Sequence, residues 1–394
     1  MFFKNVLFFS FLLIGFSQWV EAGQSLRNKI GEMLIVGFSG DTFHENSEIA
    51  KNIKEYHIGG VILYSGDGLG DKIQRNVKDP GQLRALTSGL QSYALKNRLS
   101  HEGPLFIGID QEGGWVSRLS GEKGFTQENI SARDLGMTDD SDKTYRYAAA
   151  LGRYLEELGI NLNFAPVVDL AVNLDNFIYK RGRCFSEDTA VVYAQSEAFV
   201  RGMHDSRIIT TLKHFPGHGS STSDTHKGIA DVSSTWTEIE LEPYRRFIDE
   251  GYSDMIMTAH VINQELDRDG SVKNKLGEEG PIPATLSKKI LTNLLRNQMG
   301  FQGIIVTDDM SMGAIADQYS LEDALKYAIN AGVDMIILAN HDEDWTGDAV
   351  DIMERLVRKG EISAERIDEA YGRILRLKKA DLTCDLEQEE FRKL

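Results

Sequence analysis

Eight short apolar segments recur along the chain, and each ends in glycine or polar residues before a stretch with helical periodicity. They are residues 33–38, 60–64, 105–110, 161–169, 208–214, 255–260, 303–308 and 334–340. Strands that alternate with helices form parallel sheets, because a crossover helix returns the chain to the starting edge. Eight such units in succession are typical of a closed (β/α)8 barrel. The sequence therefore predicts an α/β fold, a single-domain (β/α)8 TIM barrel.

The segments between these strands carry helical signals. Apolar side chains in residues 147–158 recur at intervals of three and four, which places them on one face of a helix. Residues 367–374 repeat the pattern, and Ser363 is placed to cap that helix. The alternative is a doubly wound open sheet, which more often has a glycine-rich phosphate loop after its first strand. Residues 36–40 match such a loop only weakly, so the barrel is favoured.

The first 22 residues have the three parts of a secretory signal peptide. Lys4 gives a positive start, residues 6–16 are apolar, and Val20-Glu21-Ala22 precedes Gly23 as a cleavage site. The alternative, an uncleaved membrane anchor, is disfavoured because a span needs about 20 apolar residues. No later segment is apolar enough to span a membrane, and no cysteine follows the site to carry a lipid. We expect an exported protein, periplasmic or secreted, whose catalytic domain is residues 23–394.

Charge and cysteine content disfavour several classes of protein. The 60 Asp and Glu residues outnumber the 43 Lys and Arg, for a net charge of −17. A nucleic-acid partner is therefore not expected, because phosphate binding needs a basic surface. The two cysteines, Cys184 and Cys384, are far apart in sequence and provide neither a disulfide framework nor the CxxC spacing of a zinc site.

Polar residues collect where the predicted strands end, which is where TIM barrels place their active sites. A single aspartate after a strand is often only a turn or a helix cap. Here the third to seventh segments all end in such residues, which indicates a functional mouth. The polar ends are residues 108–118, 164–169, 213–219, 258–260 and 307–312.

The densest polar stretch is residues 213–226, which read KHFPGHGSSTSDTH. His214 and His218 have the i, i+4 spacing of zinc ligands, but the intervening Pro-Gly pair prevents the helix that would put both on one face. We therefore expect no metal and no other cofactor. Asp224 and His226 lie two residues apart in a Gly/Ser-rich segment. A carboxylate so close can orient the imidazole and raise its pKa towards the working range of an acid/base group on a mobile loop.

This stretch resembles the signature of the β-N-acetylglucosaminidases in glycoside hydrolase family 3, in which KHFPGHG is followed four residues later by Asp-Thr-His. Further segments are similar to family segments and occur in family order. They are residues 109–114, 116–118, 183–185, 306–312 and 331–336. Together they cover most of the chain after the signal peptide. The catalytic domain of the family is a β/α barrel, which agrees with the strand count.

The resemblance implies a role for individual residues. Asp308 matches the nucleophile that attacks the anomeric carbon, and His226, with Asp224 as its partner, matches the acid/base. Asp309 must point away from Asp308 if the strand persists, because side chains alternate along a strand. Five further residues match those that hold the hydroxyl and acetamido groups of the terminal sugar: Asp110, Arg118, Arg183, Lys213 and His214.

The chain departs from the family in two respects. Trp115 stands where relatives often carry a basic residue, so contacts beyond the first sugar are expected to differ. We also expect these 394 residues not to include the second domain that can supply a glutamate acid in β-glucosidase-like relatives. The general acid is therefore expected to come from the barrel itself, which supports His226 in that role. A histidine in that role differs from the usual pair of carboxylic acids in glycosidases.

The resemblance implies a retaining exo-β-N-acetylglucosaminidase that forms a covalent glycosyl–aspartate intermediate. The expected partner is a carbohydrate, such as a peptidoglycan fragment, a chitin-type oligosaccharide or another glycan. A β-glucosidase or arabinosidase specificity stays open within the family. A metal-dependent hydrolase and a non-catalytic sugar-binding barrel are further alternatives. A metal-dependent hydrolase would use His214, His218, His226 and Asp308 as its functional residues. A non-catalytic sugar-binding barrel would instead lack catalytic groups.

Overall fold

The computed structural model describes residues 25–66, 75–222, 228–340 and 344–382. The signal peptide, Asp224, His226 and Cys384 lie outside the described residues. Eight strands form one parallel sheet, and each falls on one of the eight predicted segments. They are β1 Leu34–Val36, β2 Gly60–Leu63, β3 Phe106–Ile109, β4 Leu162–Asn163, β5 Ile209–Phe215, β6 Met255–Thr258, β7 Ile304–Thr307 and β8 Ile336–Leu338, of which only β5 extends beyond its segment, by the single residue Phe215.

The sheet closes into a barrel. Each strand from β1 to β6 pairs in parallel with the next along the chain, and β1 also pairs with β8, with Leu34 opposite Ile336. A parallel bridge between Val306 and Met335 brings β7 to β8 and completes the ring. All the residues of these strands are buried, as in sheets covered by helices outside and by side chains inside. The predicted (β/α)8 barrel is confirmed.

Helices surround the barrel. They are α1 Leu26–Glu32, α2 Glu48–Glu55, α3 Pro80–Asn97, α4 Ala132–Thr138, α5 Ser141–Glu157, α6 Phe177–Lys180, α7 Thr189–His204, α8 Glu242–Asp249, the π-type helix α9 Lys289–Gln298, α10 Gly313–Ala316, α11 Leu321–Ala331, α12 Thr346–Arg358 and α13 Ala364–Asp381. Short 3₁₀ turns lie at Ser100–Glu102, Gly121–Lys123, Glu238–Leu241 and Ala284–Leu286. As predicted, the Ser363 side chain caps α13 by accepting the Arg366 N–H at 3.1 Å.

One predicted strand is shorter than its apolar segment. Residues 161–169 form regular strand only at Leu162–Asn163. Pro166 has no N–H to donate to a neighbouring strand, so the ladder is interrupted there. The chain meets β5 again where Val167 bridges Lys213, which carries residues 168 and 169 to the carboxyl end of the barrel.

The amino-terminal end of the barrel is closed by buried ion pairs. Glu32 lies two residues before the start of β1, and its carboxylate pairs with Arg98 and with Lys378, the latter at 2.8 Å. Asp334, two residues before the start of β8, is also buried. Its partners are Arg296, Arg366 and Arg373. Because each of these carboxylates is paired at the end opposite to the carboxyl ends of the strands, where barrels do not place their active sites, we assign the ion pairs a structural role. In the described part of the chain no helix is long and apolar enough to cross a membrane.

Candidate active site

The carboxyl ends of the strands, here called the mouth, bring together predicted residues from distant parts of the chain. Asp110 follows β3, Lys213 and His214 lie near the end of β5, and Asp308 follows β7. Because all eight strands run in the same direction, their ends meet at one face of the barrel. The residues that the sequence placed at strand ends therefore share one surface.

Lys213 lies between two carboxylates. Its Nζ is 3.0 Å from Asp110 Oδ1 and 2.7 Å from Glu112 Oε1, and its side chain is 3% exposed. Arg118 binds the other oxygen of Asp110 at 3.3 Å, and the Tyr64 ring lies 5.4 Å from its guanidinium. Burial disfavours the charged forms of Asp110 and Lys213, but the oppositely charged neighbours of each residue outweigh this effect. The pKa of Asp110 is therefore lowered and that of Lys213 is raised. Asp110 and Lys213 are therefore both charged.

A second set of contacts orients Arg183. Its Nε and Nη2 donate to the two oxygens of Glu112 at 2.7 and 2.8 Å, a bidentate pair. Arg183 Nη2 is also 3.3 Å from His214 Nε2. Glu112 thus joins Lys213 to Arg183. Burial raises the pKa of Glu112, but its two cationic partners lower it more and hold it far below the usual range. The result is a line of alternating charges across the mouth.

Asp169 fixes the imidazole of His214. Its Oδ2 lies 2.7 Å from His214 Nδ1, and its carboxylate also accepts the backbone N–H groups of His214 and His218. Nδ1–H therefore donates to Asp169, and Nε2 accepts from Arg183. Both ring nitrogens are occupied. Burial lowers the pKa of the neighbouring His218 to about 4, so that ring is neutral.

Glu112 and Asp169 were not among the predicted site residues, although each had a local signal. Glu112 stands two positions after Asp110 in the loop that follows β3, and Asp169 ends the fourth apolar segment. The loop is folded back by Gln111, whose Oε1 accepts the Arg118 N–H at 2.9 Å. That contact returns Arg118 towards Asp110, so these two residues meet although they are eight positions apart in the sequence.

Asp308 and Asp309 have different surroundings. Asp308 is partly exposed at the mouth, and its Oδ1 accepts the Asp309 N–H at 2.8 Å. Asp309 is buried, and its Oδ1 accepts the N–H groups of Ser311 and Ala339, each at 3.0 Å. Its other oxygen accepts the Ser311 hydroxyl. As the alternation of side chains predicts, Asp309 is directed into the fold, where it braces the loops after β7 and β8.

The residues before the Asp224–His226 segment are firmly held. Glu240 Oε2 accepts the Gly219 N–H at 3.1 Å, and Trp236 Nε1 donates to Pro216 O at 2.9 Å. Asn176 Nδ2 donates to the carbonyls of His218 and Ser221, each at 2.8 Å. On the far side of the segment, residues 230–231 pair in parallel with residues 261–262. Asp224 and His226 themselves lie outside the described residues, and their roles stay a prediction.

Glu240 gives a prediction for the pH dependence of stability. Burial, partly opposed by hydrogen bonds from Ser220 and Gly219, raises its pKa to about 7. An unfolded Glu titrates near ~4.3, so between these values only the folded chain keeps the proton. The contribution of Glu240 is complete below about pH 4.3 and is lost as the pH rises through 7. Over this window the free energy of unfolding should fall by on the order of 3 kcal/mol from this group.

The Glu240→Gln variant should lack this contribution. Urea unfolding at pH 5 and pH 8 should show that wild type loses stability relative to Glu240→Gln as the pH rises. Glu265→Gln, at an exposed position, is the matched control and should run parallel to wild type. A constant difference between wild type and Glu240→Gln at the two pH values would contradict the assignment.

Comparison with known proteins finds one family over the whole described barrel. The model for the glycosyl hydrolase family 3 N-terminal domain matches residues 25–377. Beta-hexosaminidase A of Pseudoalteromonas piscicida is 34% identical over 345 residues, which are 84% of this chain and 55% of that protein. The beta-hexosaminidase of Nitrosomonas eutropha is 33% identical over 316 residues, 78% of this chain and 80% of that protein.

A solved structure shows the same architecture. The glycoside hydrolase family 3 β-N-acetylglucosaminidase from Paenibacillus sp. str. FPU-7 superposes with a TM-score of 0.77 at 33% identity. The superposition covers 91% of this chain and 62% of that one. The chain therefore spans just over half the length of the Pseudoalteromonas relative and under two thirds of the Paenibacillus protein.

Proposed function

The chain belongs to glycosyl hydrolase family 3, and we propose that it is an exo-acting β-N-acetylhexosaminidase that removes terminal β-linked N-acetylglucosamine. The observation that carries the proposal is the line of alternating charges formed by Asp110, Lys213, Glu112 and Arg183 at the same mouth as Asp308. The names of the relatives agree with it. A non-catalytic sugar-binding barrel is less consistent with a partly exposed carboxylate that faces this mouth.

The charged line suits the recognition of a sugar. Hydroxyl and amide groups need directional donors and acceptors, and charged partners give the strongest hydrogen bonds. Asp110 keeps 17% of its side chain exposed although it binds both Lys213 and Arg118. Its oxygens remain reachable from the mouth. Behind it, Glu112 fixes the ammonium group of Lys213 and Asp169 fixes the imidazole of His214. The terminal sugar would therefore meet groups whose positions are set before it binds.

The proposed reaction has two displacements at the anomeric carbon. A carboxylate oxygen of Asp308 forms a bond to that carbon while the bond to the leaving oxygen breaks, and His226 donates the proton to the leaving group. Water then attacks the same carbon, His226 takes its proton, and the Asp308 ester bond breaks. Asp309 is less suited to attack because both of its oxygens accept hydrogen bonds from the loops.

A panel of 4-nitrophenyl β-glycosides tests the sugar specificity. The N-acetylglucosaminide should be hydrolysed with a kcat/KM at least about 100-fold higher than the glucoside or the arabinoside, because a site built for the acetamido group is left unsatisfied by sugars that lack it. Preference for the glucoside would favour a β-glucosidase. Failure to hydrolyse any of them would leave the sugar-binding barrel as the better reading. Peptidoglycan fragments and chitin-type oligosaccharides are the proposed natural substrates.

Activity should survive exhaustive chelation. Both nitrogens of His214 are occupied, one by Asp169 and the other by the cationic Arg183, which would repel a metal ion. Within the described ranges no group of three His, Cys, Asp or Glu side chains could hold a metal ion. Dialysis against EDTA should leave the kcat for an aryl N-acetylglucosaminide unchanged. Loss of turnover that zinc restores would favour the metal-dependent hydrolase.

Export is part of the proposal. The positive start, the apolar run and the Val20-Glu21-Ala22 site support cleavage before Gly23, outside the described residues. Mass spectrometry of the protein from its native host should find a mature chain that starts near Gly23, in the periplasm or the medium. Intact Met1 in the cytoplasm would contradict this.

A further inference from the structure

One of the predicted polar strand ends has no part in the proposed reaction. The sixth apolar segment ends in Thr258-Ala259-His260, at the end of β6. This strand pairs with β7, the strand that Asp308 follows. His260 is 1% exposed and Thr258 is fully buried. Burial of a polar side chain is unfavourable unless it is hydrogen-bonded, so the partners of these two residues indicate what they do.

His260 holds the backbone of Asp309. Its Nε2 lies 3.0 Å from Asp309 O, and a carbonyl oxygen can only accept, so Nε2 carries the hydrogen. Its Nδ1 lies 2.8 Å from Thr285 Oγ1. Both ring nitrogens are therefore engaged, and the imidazole cannot turn without losing a hydrogen bond. Burial lowers the pKa of His260 in spite of the nearby carboxylates, so the ring is a neutral donor and not a second acid.

The same strand end also holds Asp308. Thr258 O accepts the Asp308 N–H at 3.3 Å, and Thr258 Oγ1 lies 2.9 Å from Thr285 Oγ1. Thr285 belongs to the buried 3₁₀ turn Ala284–Leu286 and so contacts both polar side chains of the strand end. Thr258 and His260, two positions apart, therefore fix the backbone of two consecutive residues, the proposed nucleophile and its neighbour.

This arrangement directs a hydrogen-bond donor at the proposed nucleophile. The carbonyl of Asp309 is held by His260 and its carboxylate is held by the loops. Its N–H then donates to Asp308 Oδ1 at 2.8 Å. A carboxylate that is fixed through one oxygen cannot rotate freely, so the direction of its attack is set before the sugar binds.

We propose that His260 is a positioning residue for the nucleophile and that it acts, together with Thr285, through the backbone of Asp309. The inference rests on the proposed function, because it needs Asp308 as the group that attacks the anomeric carbon. Misplacement of a reacting group by about 1 Å can cost about 100-fold in rate. Loss of the His260 donor should therefore slow the attack without weakening the binding of the sugar.

Two pairs of variants test this role with 2,4-dinitrophenyl N-acetylglucosaminide, whose leaving group needs no proton. His260→Leu removes the donor and should lower kcat/KM by about 10–100-fold. His260→Gln should restore most of the loss, because its amide N–H can still donate to Asp309 O. Thr285→Val loses only the hydroxyl and should lower kcat/KM by about tenfold, whereas Thr285→Ser should match wild type. The Thr285 pair decides if His260→Leu does not fold.

Two controls separate positioning from a general loss of structure. His204→Gln removes a ring that holds Asp254 at 2.7 Å at the amino-terminal end of the barrel, and it should keep wild-type kinetics whatever its melting temperature. The inhibition constant of free N-acetylglucosamine should be the same in every variant. An inhibition constant that rises as kcat/KM falls would overturn the positioning role, because His260 would then support the sugar site as a whole.

The Asp308→Asn variant distinguishes failure of this inference from failure of the proposed function. If His260→Leu and Thr285→Val both keep wild-type kcat/KM while Asp308→Asn is inactive, the positioning role is wrong and the proposed function stands. If Asp308→Asn keeps its activity, or if wild type cleaves no N-acetylglucosaminide, the proposed function is wrong and the positioning role is wrong with it.

Discussion

Asp308→Asn should reduce the kcat for an aryl β-N-acetylglucosaminide by at least about 10⁴-fold, because a neutral amide is a far weaker nucleophile than a carboxylate. The fold should survive the change. Asp308 is partly exposed, and the hydrogen bond that its side chain accepts from the Asp309 N–H at 2.8 Å can be accepted equally by the Asn amide oxygen. Steady-state kinetics and a thermal melt of the same sample check both statements.

Two further variants show that the loss is specific. Asp317→Asn makes the same chemical change at an exposed position at the end of α10 and should keep wild-type kinetics. Asp309→Asn should cost less activity than Asp308→Asn but lower the melting temperature, since Asp309 accepts N–H and O–H groups from the loops after β7 and β8. Comparable losses of kcat in Asp308→Asn and Asp309→Asn would mean that Asp308 is not distinguished as the nucleophile.

The stereochemistry of the first product tests the covalent intermediate directly. Two displacements at one carbon invert it twice, so N-acetylglucosamine should be released as the β-anomer. Proton NMR of the reaction, recorded before mutarotation, distinguishes the two anomers. An initial α-anomer would indicate direct attack by water, and Asp308 would then act as a base or not at all.

The fold could be predicted because its pattern is local. A buried parallel strand is a short apolar run, and the following polar residues mark its carboxyl end, so each of the eight segments could be identified independently. The predicted length of a strand was wrong at residues 161–169, of which only Leu162–Asn163 form regular strand. The interruption depends on Pro166 and on where β5 lies, and the position of a neighbouring strand is not written in the segment itself.

The site could be predicted only in part, for a related reason. Asp110, Lys213 and Arg183 are recognisable by residue type and by their place at strand ends or in a family segment. Their pairing is not local: Glu112 meets Arg183 across 71 positions, and Asp169 meets His214 across 45. An acidic residue that binds a distant cation looks the same in sequence as one that caps a helix or forms a turn. Glu112 and Asp169 therefore became visible only when the barrel brought their partners to one face.

His226→Ala should lower kcat/KM by about 10²–10⁴-fold for substrates with poor leaving groups, such as disaccharides, and much less for 2,4-dinitrophenyl N-acetylglucosaminide. A sugar hydroxyl is a weak acid and leaves only if it is protonated in the transition state, whereas dinitrophenolate leaves without help. Asp224→Ala should show the same trend more mildly if its carboxylate orients the imidazole. His101→Ala, at an exposed position at the amino-terminal end of the barrel, is the matched control and should match wild type on both substrates.

The dependence on the leaving group separates an acid from a residue that only supports the loop. The residues before and after this segment are held by Glu240, Asn176 and the pairing of residues 230–231, none of which His226→Ala removes. A general loss of loop structure would slow every substrate by a similar factor, because positioning is needed for all of them. Loss of proton donation instead makes a plot of log kcat/KM against leaving-group pKa steeper in the variant. Parallel plots for wild type and His226→Ala would therefore remove His226 from the acid role, even if its activity were low.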